Sequence, residues 1–263
     1  ICRQEFSLVF QPIISFASGQ VAKFEALLRW NQPERGMQNP GSFIGVAEQT
    51  GLIVPIGYWV IEAACGFIQQ QMLTGRPVKP VAVNLSVCQL REPEFADRVE
   101  NLLLHLNIPP ALLVLEITES MLMENVDLAT RLIARLKGLG IRISIDDFGT
   151  GYSSLSKLRY FPVDTLKIDR SFVMDLETSV IDRQMVEAIT AMVHKLGLKV
   201  IVEGIETDEQ MQFLNKIGCD YGQGFLFARP LPPEQALQYT GYADLAVSEP
   251  VLNDDQFRVT TAG

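Results

Sequence analysis

Short runs of apolar, β-forming residues recur along this chain, and six of them end in a carboxylate or an amide. Buried parallel strands read as unbroken Val, Ile and Leu runs, and their carboxyl ends meet at one rim, where barrel enzymes assemble their chemistry. Hard divalent cations bind oxygen ligands from several carboxylates. The pattern therefore predicts a magnesium-type site at that rim. The six terminal residues are Glu25, Asn84, Glu116, Asp146, Asp169 and Glu203.

Strand and helix patterns alternate along most of the chain, which indicates an α/β fold with a parallel sheet and right-handed crossovers. Eight strand candidates in 263 residues favour a (β/α)8 TIM-type barrel, which usually needs roughly 250 residues. An open doubly wound sheet would carry a G-x-G-x-x-G turn after an early strand, and the sequence has none. Two β-rich runs joined near Ser18 and Gly19 read as a hairpin, so we expect an antiparallel first strand. We assign 1–242 to the barrel and 243–263 to a loosely held C-terminal tail.

Composition limits the partners and the compartment. A net charge of −9 argues against a protein that coats a nucleic-acid polymer, because such affinity depends on Lys and Arg that neutralise phosphates. Four cysteines without C-x-x-C spacing predict reduced thiols in a cytoplasmic domain. No apolar stretch reaches the roughly 20 residues of a membrane span, although the full-length protein could be membrane-attached. Because the chain begins at Ile1, we expect it to be part of a longer protein.

The most specific local motif is DDFGTGYSSL, in which two adjacent acids precede a glycine-rich turn. Adjacent carboxylates repel each other, so a buried pair of Asp146 and Asp147 needs a cation or a shared proton. The alternative is that Asp147 only caps the turn. We interpret the turn from Gly149 to Gly151 first as a mobile loop, with backbone binding of phosphate as the alternative.

Lys167 lies inside an apolar strand, two residues before Asp169, so both side chains face the same way. A lysine in a barrel interior needs an ionic partner. On its own it would fit the Schiff-base nucleophile of an aldolase-like barrel, but the neighbouring carboxylates favour a permanently charged ammonium. His105 and His194 lie in helical patterns, so neither is expected to be a general base. A water activated by metal is then the simplest nucleophile.

Eight ordered motifs, spread from about Phe6 to Tyr239, together resemble the EAL-domain family of cyclic di-GMP phosphodiesterases. They are FQPI at 10–13, EALLRW at 25–30, VNLS at 83–86, EITES at 116–120, DDFGTGYSSL at 146–155, TLKIDRSFV at 165–173, EGIET at 203–207 and QGFLFARP at 223–230. The resemblance implies a barrel with an antiparallel first strand. It also implies hydrolysis of cyclic di-GMP to linear pGpG by a water that two Mg²⁺ or Mn²⁺ ions activate.

The resemblance also assigns roles to individual residues. The metal ligands it implies are Glu25, Asn84, Glu116, Asp146, Asp147 and Glu203. Catalytic roles fall to Lys167, Glu203 and Gln223, and substrate contacts to Gln11, Leu27, Arg29 and Asp169. The residues that couple the loop to a homodimer are Glu119, Gly149 and Gly151.

Family membership implies a homodimer and fused N-terminal regulatory domains such as a GGDEF domain. The leading hypothesis is an active phosphodiesterase. The second is a catalytically silent cyclic di-GMP receptor, which should lack metal ligands or the lysine, whereas this chain has them all. A magnesium-dependent enolising barrel is a distant third. One departure from the family pattern is Lys23, which stands where a glycine often precedes the EAL motif.

Overall fold

The computed structural model describes residues 5–149 and 161–242. Strands in these residues form one sheet that closes on itself. They are β1 (Phe6–Ser15), β2 (Val21–Gln32), β3 (Gly36–Gln38), β4 (Val81–Asn84), β5 (Leu113–Thr118), β6 (Arg142–Phe148), β7 (Thr165–Ile168), β8 (Lys199–Val202) and β9 (Tyr221–Gly222).

The barrel is closed by its first strand. Parallel pairing runs through β2, β4, β5, β6, β7, β8 and β9 in that order. β1 pairs antiparallel with both β2 and β9 and so joins the two ends of this parallel series. The short β3 extends only the outer part of β2. The predicted eight-stranded barrel with an antiparallel first strand is confirmed.

Helices surround the barrel in the described part of the chain. The α-helices are α1 (Ile44–Gln49), α2 (Ile53–Leu73), α3 (Val87–Leu90), α4 (Phe95–His105), α5 (Glu119–Glu124), α6 (Val126–Gly138), α7 (Val180–Lys195), α8 (Asp208–Lys216) and α9 (Pro233–Ala236). Single 3-10 turns cover Pro40–Ser42, Pro110–Leu112 and Arg170–Phe172. Thr207 and Gln210 form a capping box at the start of α8, which satisfies backbone N–H groups there.

The apolar core lies between the strands and the helices. On α6, the buried residues Ala129, Ile133 and Leu136 recur at helical spacing and form one apolar face. On β1, Phe10 points outward and stacks on Phe67 of α2, with the ring centroids 3.8 Å apart. Because apolar side chains fill this outer layer, the interior of the barrel is left for the polar residues of the alternate register.

Several boundaries differ from the sequence predictions. Glu25 does not end its strand, because β2 continues to Gln32 while it pairs with β1 and β3. The apolar residues near 221–227 predict a last strand of that length, but β9 ends at Gly222 because the chain turns there, and the Phe227 N–H donates to Gly224 O. The short elements β3, α3 and α5 were not predicted. The sequence also predicts a short helix after Ser153, but that segment and the tail 243–263 lie outside the described residues.

Two compositional predictions can be compared with the structure. Cys65, Cys88 and Cys219 are free thiols, and burial raises the pKa of Cys65 to about 12. Cys2 lies outside the described residues. In the described ranges, no helix is long and apolar enough to cross a membrane.

Candidate active site

Strand register brings the predicted acids to one place inside the barrel. Glu25 pairs with Ala82 on β4, and Asn84 at the end of β4 pairs with Glu116 on β5. Glu116 in turn lies beside Ser144 of β6. Since side chains alternate between the two faces of a strand, this register directs the acids of the successive strands into the same interior space.

Lys167 lies at the centre of this space and is fully buried. Four carboxylates surround its Nζ atom. The distances from Nζ are 2.7 Å to Glu203 Oε1, 3.0 Å to Glu116 Oε2, 3.1 Å to Asp146 Oδ1 and 3.4 Å to Glu25 Oε2. Burial alone would lower the pKa of Lys167, but these carboxylates outweigh it and hold the pKa well above its usual range. The side chain is therefore an ammonium, which does not act as a Schiff-base nucleophile.

Negative charge exceeds positive charge around Lys167, and the acids respond differently. Burial raises the pKa of Glu203 to about 8 and raises that of Glu116 well above its usual range. Burial also acts on Glu25, but Lys167 and hydrogen bonds from Gln223 and Asn84 outweigh it and lower its pKa. Without a further cation, part of the cluster holds protons because several buried carboxylates cannot all ionise together.

Two groups of carboxylates could each hold a metal ion. The first consists of Glu25, Glu116 and Asp146, and the second of Asp146, Asp147 and Glu203. Within each group, one oxygen from every residue lies within 4.8 Å of the others. Asp146 belongs to both groups. The fit to hard cations is good because all these donors are oxygens.

Two side chains support the fit. Glu116 Oε1 is buried and has no hydrogen-bond partner within the described ranges, which leaves a ligand atom available for a cation. Asn84 donates from Nδ2 to Glu25 Oε1 at 2.8 Å and so fixes that carboxylate. Asn84 itself is exposed at the rim.

An irregularity in β6 allows both adjacent aspartates to reach the site. The β6–β7 register shifts between Ile145 and Phe148, and Asp147 has a φ of 54°, which is uncommon for a residue other than glycine. Asp147 N–H donates to Asp146 Oδ1 at 3.0 Å. A β-bulge of this kind redirects a side chain. Burial and the neighbouring Asp146 raise the pKa of Asp147.

The loop after β6 is connected to the end of β5. Gly149 N–H donates to Glu119 Oε2 at 3.3 Å, and Glu119 is buried. Gly149 has a φ of 97°, and a Cβ there would lie 2.6 Å from the Phe172 ring. Through this hydrogen bond, Glu119 holds the start of the loop against the end of β5. Gly151 lies outside the described residues, and the link to dimerisation stays a prediction.

Gln223 and Gln11 form a polar chain beside Glu25. Gln223 Nε2 donates to Glu25 Oε2 at 2.7 Å and to Gln11 Oε1 at 3.1 Å. Gln11 Nε2 donates to Ala228 O at 3.1 Å. Gly224 permits this arrangement, since a Cβ on it would lie 2.0 Å from the Ile205 carbonyl oxygen.

The remaining predicted substrate residues lie around the site without a bond to the cluster. Leu27 and Arg29 follow Glu25 at two-residue steps on β2 and are half-buried, and Arg29 Nη1 donates to Leu28 O at 2.8 Å. Asp169 accepts from Ser171 N–H at 2.9 Å. Burial would raise the pKa of Asp169, but these Ser171 bonds lower it. Their roles in binding substrate stay predictions.

Two interior residues were not assigned a role from the sequence. Ser144 is fully buried, and its Oγ has no partner within the described ranges. Its two-residue spacing from Asp146 is the signal that could have found it. Lys23 is also buried, and burial lowers its pKa to about 8. It lies two residues before Glu25 on the same face of β2.

These features define a class of protein: a (β/α)8-type barrel whose carboxyl-end rim carries an oxygen-rich site suited to cations. A sequence profile of the EAL domain matches residues 1–230. The chain is 44% identical over 228 residues to cyclic di-GMP phosphodiesterase NbdA of Pseudomonas aeruginosa. The matched region covers 87% of this chain and 29% of NbdA. It is 43% identical over 235 residues to the bifunctional diguanylate cyclase/cyclic di-GMP phosphodiesterase MucR of the same organism. That match covers 89% of this chain and 34% of MucR.

A solved structure agrees. The MucR phosphodiesterase in complex with c-di-GMP superposes with a TM-score of 0.85 at 43% identity, over 89% of this chain and 95% of that chain. The chain belongs to the EAL-domain family. It spans about a third of the length of the curated relatives just described.

Proposed function

We propose that this domain hydrolyses cyclic di-GMP to linear pGpG. The observation that carries the proposal is the arrangement of Lys167 among four carboxylates, with two acidic groups that share Asp146. The relatives NbdA and MucR bear phosphodiesterase names, and the similar MucR structure contains c-di-GMP. Both facts support the same substrate here.

The reaction adds one water across one phosphodiester bond of the ring. Its oxygen becomes bonded to phosphorus, one P–O ester bond breaks, and the released sugar oxygen takes up a proton. Two divalent cations, when bound, would neutralise phosphate charge and lower the pKa of water, so that a hydroxide nucleophile is available near neutral pH. Mg²⁺ or Mn²⁺ suits the oxygen donors of Glu25, Asn84, Glu116, Asp146, Asp147 and Glu203.

The protein residues bind and orient the reactants. The Lys167 ammonium, between Asp146 and Glu203, donates hydrogen bonds that would fix the attacking water. Gln223 fixes the Glu25 carboxylate by a hydrogen bond. Leu27 and Arg29 follow Glu25 on the same face of β2. Arg29, two residues beyond Leu27 on the same face, would bind the phosphate through its guanidinium. These groups stabilise the charge that develops on the phosphate oxygens.

The direct test is to incubate the purified protein with cyclic di-GMP and Mg²⁺ and to follow pGpG by chromatography. We expect product that disappears with EDTA and in Glu25→Gln. The matched control is Glu62→Gln, which changes an exposed acid on α2 and should leave the rate unchanged. Binding of cyclic di-GMP without any product would contradict the proposal and favour the silent receptor.

We further infer that the domain works as one module of a longer protein. The support is that the matched relatives are about three times its length, and that MucR is named as both cyclase and phosphodiesterase. A fused GGDEF domain, a homodimer and a cytoplasmic location are parts of this proposal. The oligomeric state is measured by light scattering with and without cyclic di-GMP.

A further inference from the structure

A cavity at the opposite end of the barrel has no role in the proposed reaction. It has a volume of about 280 Å³ and is lined mainly by the first residues of parallel strands. We call it the amino-end cavity. Its polar lining residues are Lys23, Arg142, Asp164, Thr165, Lys199 and Tyr221.

Two polar side chains in this lining are more than nine-tenths buried and have no hydrogen-bond partner among the described residues. Lys23 is 7% exposed and Thr165 is 8% exposed. Among the described residues, no acceptor forms a hydrogen bond with Lys23 Nζ, which lies 5.9 Å from the centroid of the Tyr221 ring. Thr165 Oγ1 has no hydrogen-bond partner in the same ranges. Buried polar groups of this kind normally bond to something, so both atoms point to a ligand.

The charge of the cavity favours an anion. Lys23, Arg142 and Lys199 contribute three cations, and Lys199 forms an ion pair with Asp220 at 2.7 Å. The one carboxylate of the lining, Asp164, is already bonded to Lys137 and to the Ile143 N–H. Arg142 is exposed at the entrance and would attract an anion from solvent.

The acids above the cavity act on Lys23 through their charge but form no ion pair with it. Glu25 and Glu116 lie one layer higher on β2 and β5, and both are held by Lys167. Lys23 and Arg142 therefore form no ion pair with a carboxylate of the described residues, whereas Lys199 is paired with Asp220. An oxyanion would accept hydrogen bonds from both the Lys23 ammonium and the Thr165 hydroxyl.

We propose that the amino-end cavity binds a small oxyanion of the size of inorganic phosphate, separately from the proposed substrate site. Its volume falls below the roughly 300–1,000 Å³ of pockets for drug-sized ligands, so it suits an ion and not a nucleotide. The oxyanion would lie between Lys23 and Thr165, with Arg142 at the entrance.

The test is a calorimetric titration of the metal-free protein with inorganic phosphate at constant ionic strength. We expect saturable binding that Lys23→Met weakens at least tenfold and Thr165→Val weakens several-fold. Lys216→Met, an exposed lysine on α8, is the matched control and should stay within twofold of the unsubstituted protein. Arg29→Met removes a proposed phosphate contact at the opposite rim and shows whether any of the measured binding belongs to that site.

Several outcomes would overturn the proposal. These are no saturable binding, equal binding by Lys23→Met, or loss in Arg29→Met alone. If GMP competes for the cavity as strongly as phosphate does, the cavity binds a nucleotide and the proposal of a small-ion site is contradicted. If circular dichroism shows that Lys23→Met is unfolded, phosphate binding is measured instead with Thr165→Val and with Arg142→Gln, which changes the exposed residue at the entrance. Selenate located in the cavity by anomalous diffraction would support the assignment directly.

Discussion

Lys167 is the side chain on which the charge balance of the site depends. Its fully buried ammonium faces four carboxylates, and removal of one partner from a buried ionic group is strongly destabilising. In the absence of metal, we expect Lys167→Met to lower the free energy of unfolding by about 3–5 kcal/mol. Urea unfolding in EDTA measures this loss.

A matched control separates the loss of the buried charge from the loss of a lysine in general. Lys195→Met changes an exposed lysine at the end of α7 and should shift the unfolding free energy by no more than about 0.5 kcal/mol. Equal stability of the two variants would mean that the carboxylates do not need the ammonium.

Glu203 links metal binding to pH. Burial raises its pKa to about 8, so without metal it is protonated at neutral pH, whereas a cation requires the carboxylate. Mg²⁺ binding should therefore release protons, and the apparent affinity should rise as pH increases from 6 to 8 and level off above the pKa. Calorimetry in HEPES and in Tris, which differ in ionisation enthalpy, measures the release. A heat that is independent of buffer would contradict this expectation, and Glu203→Gln should release fewer protons.

Within 5–149 and 161–242, the turn after β9 is the connecting segment in which a glycine meets the closest backbone contact. A Cβ on Gly224 would lie 2.0 Å from Ile205 O and 2.3 Å from Ile205 N, so the backbone itself would have to move. We expect Gly224→Ala to lower the free energy of unfolding by about 1–3 kcal/mol and to reduce turnover by displacing Gln223. Thermal unfolding and the pGpG assay measure the two effects.

Gly66 offers a comparison of opposite sign. It lies within α2, and a Cβ there would have nothing within 4 Å. Gly66→Ala should raise stability by about 0.5–1 kcal/mol, because alanine favours the helix. If both substitutions had the same effect, the close approach at Gly224 would not be the cause.

How far the sequence predicts these elements depends on their length and their contacts. The apolar runs of β5 and β7 and the helical pattern of α6 identified those elements, since local periodicity is strong there. Glu25 was placed at a strand end because nothing in the sequence shows that β2 continues to pair with β1 and β3. The helix α3 has only four residues, too few for a periodic signal.

The candidate site was predicted in two different ways. The acids at the strand ends follow from the apolar runs, whereas the roles of Gln11 and Gln223 came only from the family resemblance. The φ of 54° at Asp147 and the unpartnered Thr165 depend on tertiary contacts, which a single sequence does not encode locally.

For the barrel as one unit, the acidic site predicts stabilisation by metal. Cations that bind the folded protein and not the unfolded chain stabilise it, by about 2.7 kcal/mol at 100 times the dissociation constant. We expect the melting temperature to rise with Mg²⁺ concentration. Asp146→Asn, which alters the residue shared by both acidic groups, should abolish most of the rise. Sodium chloride at equal ionic strength is the control, and an equal rise in that salt would contradict specific binding.

The antiparallel direction of β1 has a consequence for access to the site. In an all-parallel barrel, the first strand would begin at the end of the barrel remote from the chemistry. Here Phe6 pairs with Trp30, beyond Glu25 on β2, so the first described strand starts on the acidic side and runs away from it. The chain that precedes Phe6 is therefore joined to the barrel at its acidic end, where the carboxylates lie, and not at the end that carries the amino-end cavity.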